Sequence, residues 1–231
     1  MTRIVWDQIS EHIYETGVDH GVLYPIDSTG HYPAGVPWNG LTTVSQSPSG
    51  ADSNDLYADN IKYLSLRAAE DFGATIEAYT YPDEWAQCDG SAEIVQGVTA
   101  GQQTRKAFGL SYRTLIGNDT MGTAYGYKIH LIYNATASPS ERSYATVNDS
   151  PDAIQFSWEV TTIPVNVGGN FKPTAHLEID STKADANKLK VLEAILYGTD
   201  AGDEVQPPEG VTAGPRLPLP DEVITLLTPG N

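Results

Sequence analysis

The chain has 231 residues, 40% of them apolar, with 30 acidic against 13 basic side chains, a formal net charge of −17, one cysteine and five histidines. A chain of this length buries about 70–75% of its unfolded surface, so folding requires neither a disulfide nor a structural metal. The single Cys88 supplies no internal bridge and no thiolate zinc cluster, which fits a reducing compartment, and so acidic a surface excludes tight nucleic-acid binding through clustered Lys and Arg.

The N-terminus lacks the basic region, apolar core and cleavage site of an export signal, and no apolar run approaches the ~18 residues of a spanning helix. The expectation is a globular protein that is neither exported by a cleaved signal nor inserted in a membrane. The acid is concentrated early. Residues 1–60 carry eight acids against Arg3 alone, whereas residues 61–116 carry seven acids and five bases. Solubility is the simplest consequence of that charge.

In chain order, the pattern predicts strands at Val22–Ile26, Lys62–Ala68 and Thr75–Thr80. From Thr104 to Ile116, Phe108, Leu110, Tyr112, Thr114 and Ile116 alternate with small or charged residues, as a half-buried strand requires. Tyr125, Tyr127, Ile129, Leu131 and Tyr133 then share one face, with Lys128 and His130 on the other. Between them Gly117, Asn118, Asp119, Thr120, Met121 and Gly122 tolerate left-handed backbone, which makes the pair a long hairpin. A short strand at Ser143–Val147 follows a polar loop. Further strands are Ile154–Thr162, ended by Pro164, and Ala175–Ile179, for roughly eight to ten in all.

Thr182–Tyr197 breaks the alternation. Leu189, Leu192 and Leu196 follow helical spacing, and Gly198 offers a left-handed C-terminal cap. One helix among strands covers one side or edge of a sandwich. Asp200–Pro220 then carries Pro207, Pro208, Pro215, Pro218 and Pro220 and reads as an extended linker. It leads to the apolar Val223, Ile224, Leu226 and Leu227. With Leu217 and Leu219 these form a candidate inter-subunit arm, the alternative being an edge strand folded back on its own domain. The division is therefore a β domain over 1–198, with its helix at about 182–197, and a linker and arm over 199–231.

Chemical motifs are absent. Gly97–Gly101 lacks the Lys-Ser/Thr of a phosphate loop, no serine sits in a nucleophile elbow, and Cys88 has no basic sequence neighbour to activate it. His12, His20 and His31 stand near Glu11 and Asp19 but are spaced by eight and eleven, which suits hydrogen-bonded or solvated side chains better than a metal. Asp52-Ser53-Asn54-Asp55 lacks the glycine and distal glutamate of a calcium loop and reads as a turn. The pairs Glu70-Asp71, Asp83-Glu84 and Asp221-Glu222 are adjacent rather than facing, so they do not suit glycoside hydrolysis. Trp158 is placed in the core by its period, leaving Trp6, Trp38 and Trp85 as candidates for stacking on sugars. No catalytic, cofactor-binding or metal-ligating residue is assigned, and no cofactor is expected.

Three stretches resemble the major tail (tail-tube) proteins of long-tailed, non-contractile bacteriophages: YADNIKYLSLRAAEDFGATIEAYTYPDEWAQCDG from Tyr57 to Gly90, FSWEVTTIPV from Phe156 to Val165, and RLPLPDEV from Arg216 to Val223. Together they frame most of the chain. The resemblance implies a mainly β, sandwich or barrel-like subunit with a flanking helix, a long hairpin and an extended C-terminal arm. It further implies a non-enzymatic virion protein, assembled in the host cytoplasm into stacked hexameric rings, with tape measure and tail terminator or distal tail proteins as partners. Double-stranded DNA would pass through the lumen, and an acidic wall would not hold it. The hairpin tip 117–122 and the C-terminal arm are then candidate connectors between rings or subunits. A carbohydrate-binding β-sandwich and an acidic β-sandwich hydrolase are the competing readings.

Overall fold

The computed structural model describes residues 3–147, 149, 152–200 and 214–228. Strands β1 (Ile13–Pro25), β2 (Val36–Pro37) and β3 (Leu41–Gln46) precede an excursion through β4 (Ser49–Gly50), β5 (Ser53–Ala58), β6 (Ile61–Arg67) and β7 (Glu70–Asp71), which returns to β8 (Gly73–Ala78). A short helix, α1 (Ala86–Asp89), and a small hairpin of β9 (Ala92–Val95) and β10 (Val98–Ala100) lead to the long pair β11 (Phe108–Asn118) and β12 (Gly122–Ala137). The chain continues through β13 (Phe156–Thr162), β14 (His176–Asp180), α2 (Ala186–Tyr197) and α3 (Pro220–Leu227).

Eight strands form one antiparallel sheet in the order β2-β1-β11-β12-β13-β8-β3, with β14 also on β12. The 16-residue β12 makes this possible, because Lys128–Ile132 pairs with β14 while Ala135–Ala137 pairs with β13. The sheet curls until β3 lies against β1, so the barrel-like form of the expected mainly β fold is the one adopted. Its interior holds Leu23, Ile76, Leu110, Ile132 and Val160 around a cluster of Trp38, Trp85 and Trp158. Their ring centroids lie 4.6, 5.3 and 5.7 Å apart, in tilted and edge-on contacts worth about 0.5–1.5 kcal/mol each beyond burial.

Residues of opposite parity on β12 face outward. Ile129, Leu131 and Tyr133 pack under Leu189, Leu192 and Leu196 of α2, and β12 is buried on both faces from Ile129 to Tyr133. Asp185 starts α2 by accepting from the backbone N–H groups of Asn187 and Lys188, the hydrogen bonds an N-cap supplies. Gly198 ends it with φ +87°, as expected for glycine, although its ψ of 175° is extended and not that of a left-handed cap.

The C-terminal segment departs from the expected extended arm. Leu217 bridges to Tyr32 and is buried in the outer core, entering over Gly109, where a Cβ would lie 2.3 Å from its Cδ2. Pro220 then opens α3 at a position where a missing N–H costs nothing, and Val223 is buried beside Leu217. The prolines that read as a tether thus include one that starts a helix, and the barrel carries two helices on its outer face instead of one. Pro207 and Pro208 lie outside the described residues.

Two further expectations fail locally. Ser143–Val147 is not a strand, and both edges of the following β13 are taken by β12 and β8. Asp52-Ser53-Asn54-Asp55 enters β5 instead of forming a turn, with Asp55 bound to Lys62 and Ser65 of β6.

Candidate functional site

The predicted hairpin is present, and its tip is anchored. Asn118 is buried and its Oδ1 accepts from the backbone N–H groups of Thr120 and Met121, while the Asp119 carboxylate accepts from Ser10 N–H at 3.0 Å and contacts His12 Nδ1 at 3.1 Å. Gly117 is covered and Gly122 is partly covered, leaving Asp119, Thr120 and Met121 at the surface. In the candidate arm, Leu217 and Val223 are committed to the chain's own core, and Leu219, Ile224, Leu226 and Leu227 are half-buried.

A larger set of exposed apolar side chains lies on β5 and β6. Strands β5 and β6 pair only with each other and stand off the barrel as a two-stranded ribbon, joined to it through β4 and β7. Ile61, Tyr63 and Leu64, Leu66 alternate along β6, so both faces of the ribbon carry apolar side chains. Tyr57 and Tyr63 are 70% and 72% exposed, and Leu56, Leu64 and Leu66 are also open to solvent. A ribbon of two strands is marginal in water unless a hydrophobic face is packed.

The other predicted residues disperse. His12 meets Asp7 and Asp119, His20 meets Asp19, and His31 lies in a turn closed by Asp27, so the three do not form a group. Trp38 and Trp85 join Trp158 in the interior, which corrects the possibility of an exposed tryptophan row; Trp6 alone of the four is at the surface. That removes the sugar-stacking platform. Cys88 is buried on α1, and burial pushes its thiol up to about 12.

One polar cluster has no counterpart among the sequence expectations. At one end of the barrel His130 of β12 and His176 of β14 bring Nδ1 and Nε2 within 3.2 Å of each other. Gln46 of β3 reaches across from the opposite wall, its amide 3.5 Å from His130 Nδ1, 3.4 Å from His176 Nε2 and 2.8 Å from Tyr112 Oη. Near-parallel rings hold the imidazoles in place, Tyr112 on His130 at 4.6 Å and Phe72 on His176 at 4.8 Å. The two histidines are 46 residues apart and meet only through the β12–β14 register. The one sequence signal was His130 standing on the inward parity of β12, in line with Ile132.

Ion pairs frame the cluster. Lys128 Nζ lies 2.8 Å from Glu15 and 3.0 Å from Glu178, so the one pair of carboxylates that face each other here is tied through an ammonium. Burial raises the Glu15 carboxyl, but hydrogen bonds from Lys128 and Thr114 outweigh it and hold the group below its ordinary value. Burial pushes both imidazoles down, His176 to about 4, aided by the neighbouring His130.

No family model and no curated protein matches the chain. Solved structures to which it is similar include the sheath-tube complex of an extracellular contractile injection system (PVC, extended state), 12% identical, covering 76% of this chain and 94% of that one at a TM-score of 0.31. The anti-feeding prophage cap (AFP tube terminating cap) is 12% identical over 78% of this chain and 96% of that one, at 0.30. The PVC sheath/tube terminator in its extended state is 14% identical over 72% and 97%, also at 0.30.

Proposed function

We propose that this chain is a structural subunit that associates with copies of itself into hexameric rings, stacked as the tail tube of a long-tailed phage. The observation that carries the reading is the β5–β6 ribbon: apolar on both faces, unpaired to the main sheet, and part of the Tyr57–Gly90 block that resembles tail-tube proteins. The occupant it fits is a second copy, because the same chain offers other exposed apolar sites, Ile4, Trp6 and Ile9 near the N-terminus and Ile94, Val95 and Val98 on the β9–β10 hairpin. A subunit with neighbours on several sides needs separate contact surfaces of this kind. The hairpin tip at Asp119, Thr120 and Met121 and the half-buried Ile224 and Leu226 are further contacts between subunits in this reading. The net charge of −17 keeps threaded duplex DNA from adhering, since phosphate retention needs clustered cations. Tape measure and terminator proteins are the remaining partners.

Light scattering and electron microscopy of the purified protein across concentration test this. The wild type should form rings or tubes that do not retain duplex DNA, whereas the double variant Leu64→Asp, Leu66→Asp should stay monomeric with an unchanged circular dichroism spectrum. A wild type that remains strictly monomeric at high concentration and with virion partners present, or a double variant that assembles normally, would refute the assignment.

A further inference from the structure

We propose, resting on the assembly reading, that a cationic cleft at one end of the barrel receives the Asp59 carboxylate from the ribbon tip of a second copy. The cleft, of about 460 Å³, opens between the end of α1, the loop before β11 and the loop after β12, and its lining includes Asp89, Ser91, Arg105, Ser140 and Arg142. Its two guanidinium groups differ. Arg142 is committed: it pairs with Asp89, and its guanidinium carbon lies 5.6 Å from the ring centroids of both Tyr81 and Phe156. Arg105 is held through one nitrogen, Nη1, which donates to the carbonyl of Ala137 at 2.7 Å. Among the described residues it forms no ion pair, although Lys62, Arg113, Lys128 and Lys183 each find a carboxylate of the same chain. Two arginines against Asp89 leave the cleft with one positive charge, in a chain whose net charge is −17. A half-buried guanidinium with donors unused favours a carboxylate, which it can hold through two parallel hydrogen bonds.

Asp59 is presented for such a contact. With Asn60 it makes the two-residue turn between β5 and β6, at φ +51° and +62°, the left-handed conformations of a type I′ hairpin. It is exposed, and the neighbouring cation on the ribbon, Lys62, is already taken by Asp55. The six residues of β5 carry the turn about 20 Å from the base of the ribbon.

The register places ribbon and cleft at opposite ends of the barrel. The ribbon segment leaves after Gln46 of β3 and returns at Gly73 of β8, which pairs with Thr161 of β13. The cleft lies by the other end of the same strands, where Phe156 pairs with Ala78 and Arg142 lies over Phe156. β6 is exposed along its whole length, so the ribbon is not laid back along its own barrel toward its own cleft. Copies placed head to tail therefore each offer a cleft to one neighbour and a tip to the next, and such a series stays open to growth.

Charge exchange in the full chain tests the contact, read by light scattering and electron microscopy across concentration. Asp59→Asn, which suits the left-handed turn and removes only the charge, should raise the concentration needed for stacking about tenfold, and Arg105→Gln should do the same. Asp59→Lys should prevent stacking, and adding Arg105→Glu to it should restore stacking near the wild-type concentration, a rescue that a merely structural role for either residue would not give. A wild type that forms no assembly refutes the assembly reading and this contact with it. A wild type that assembles, with Asp59→Asn or Arg105→Gln stacking at the wild-type concentration, overturns this contact alone. Failure of the folded double variant to recover does the same, and should Arg105→Glu prevent folding, the two neutral variants decide.

Discussion

Acidification between about pH 7 and pH 4 should cost the protein stability through one identifiable pair, His130 and His176. His176 is held down to about 4 by burial first and by His130 second, and His130 is lowered mainly by burial. In the unfolded chain an imidazole titrates near 6.5, so between the two values the unfolded state binds more protons than the folded one. The stabilisation is therefore complete above about pH 6.5 and is lost progressively as the pH falls toward 4. A gap from about 6.5 to about 4 corresponds to roughly 3 kcal/mol at most for His176, a large share of a typical domain's 5–15 kcal/mol. Carboxylates held low by partners, such as Asp19 beside Arg113, also lose stabilisation in acid, but over a lower range that starts near their unfolded value of about 4. Urea titrations read by the buried tryptophans at several pH values would resolve the two ranges. Wild type and His176→Phe should differ in slope between about pH 6.5 and about pH 4 and run parallel on either side of that range. Parallel curves throughout would show that the histidine pair is not what senses acid.

Two predictions concern packing. Leu192 is fully buried between α2 and β12, so Leu192→Ala should cost about 2–5 kcal/mol in denaturant unfolding, and a loss below about 1 kcal/mol would mean that α2 is not part of the folding unit. Cys88, buried with its thiol raised to about 12, should resist a thiol reagent such as dithionitrobenzoate in the native state at pH 8 and react fully in denaturant; rapid native labelling would contradict its placement.

Much of the barrel was legible because alternation survives wherever a strand has two distinct environments. The faces of β11 and β12, the helical spacing of Leu189, Leu192 and Leu196, and the inward position of Trp158 could all be read directly. Legibility ends where structure is set by distant partners. β1 extends back to Ile13, beyond the predicted Val22–Ile26, but register shifts around Asp19 interrupt its alternation. Pro220 looks the same in sequence as a linker proline and as the first residue of a helix; the burial of Leu217 and Val223 decides between them. The β6 strand was readable, but not its exposure, since the same alternation describes a strand in a sheet and a ribbon standing alone. The histidine cluster depends wholly on register: a slip of one residue between β12 and β14 would turn His176 away from His130.

The barrel interior is complete without the ribbon. Trp38, Trp85 and Trp158 fill it, and α2 and α3 cover the outer face of β12, so Tyr57, Tyr63, Leu64 and Leu66 are not core residues left over from a defective fold. Their apolar surface lies on a segment that could be shortened to the β4–β7 connection without opening the core. Chains do not keep such exposed surface cheaply, because it invites aggregation at every concentration. The net charge of −17 offsets that risk by repelling unspecific approach, leaving productive contact to whichever partner matches the ribbon in shape. In the proposed tube the partner is the same chain, and one sequence then encodes both the repulsion that keeps free subunits apart and the surfaces that join them once aligned.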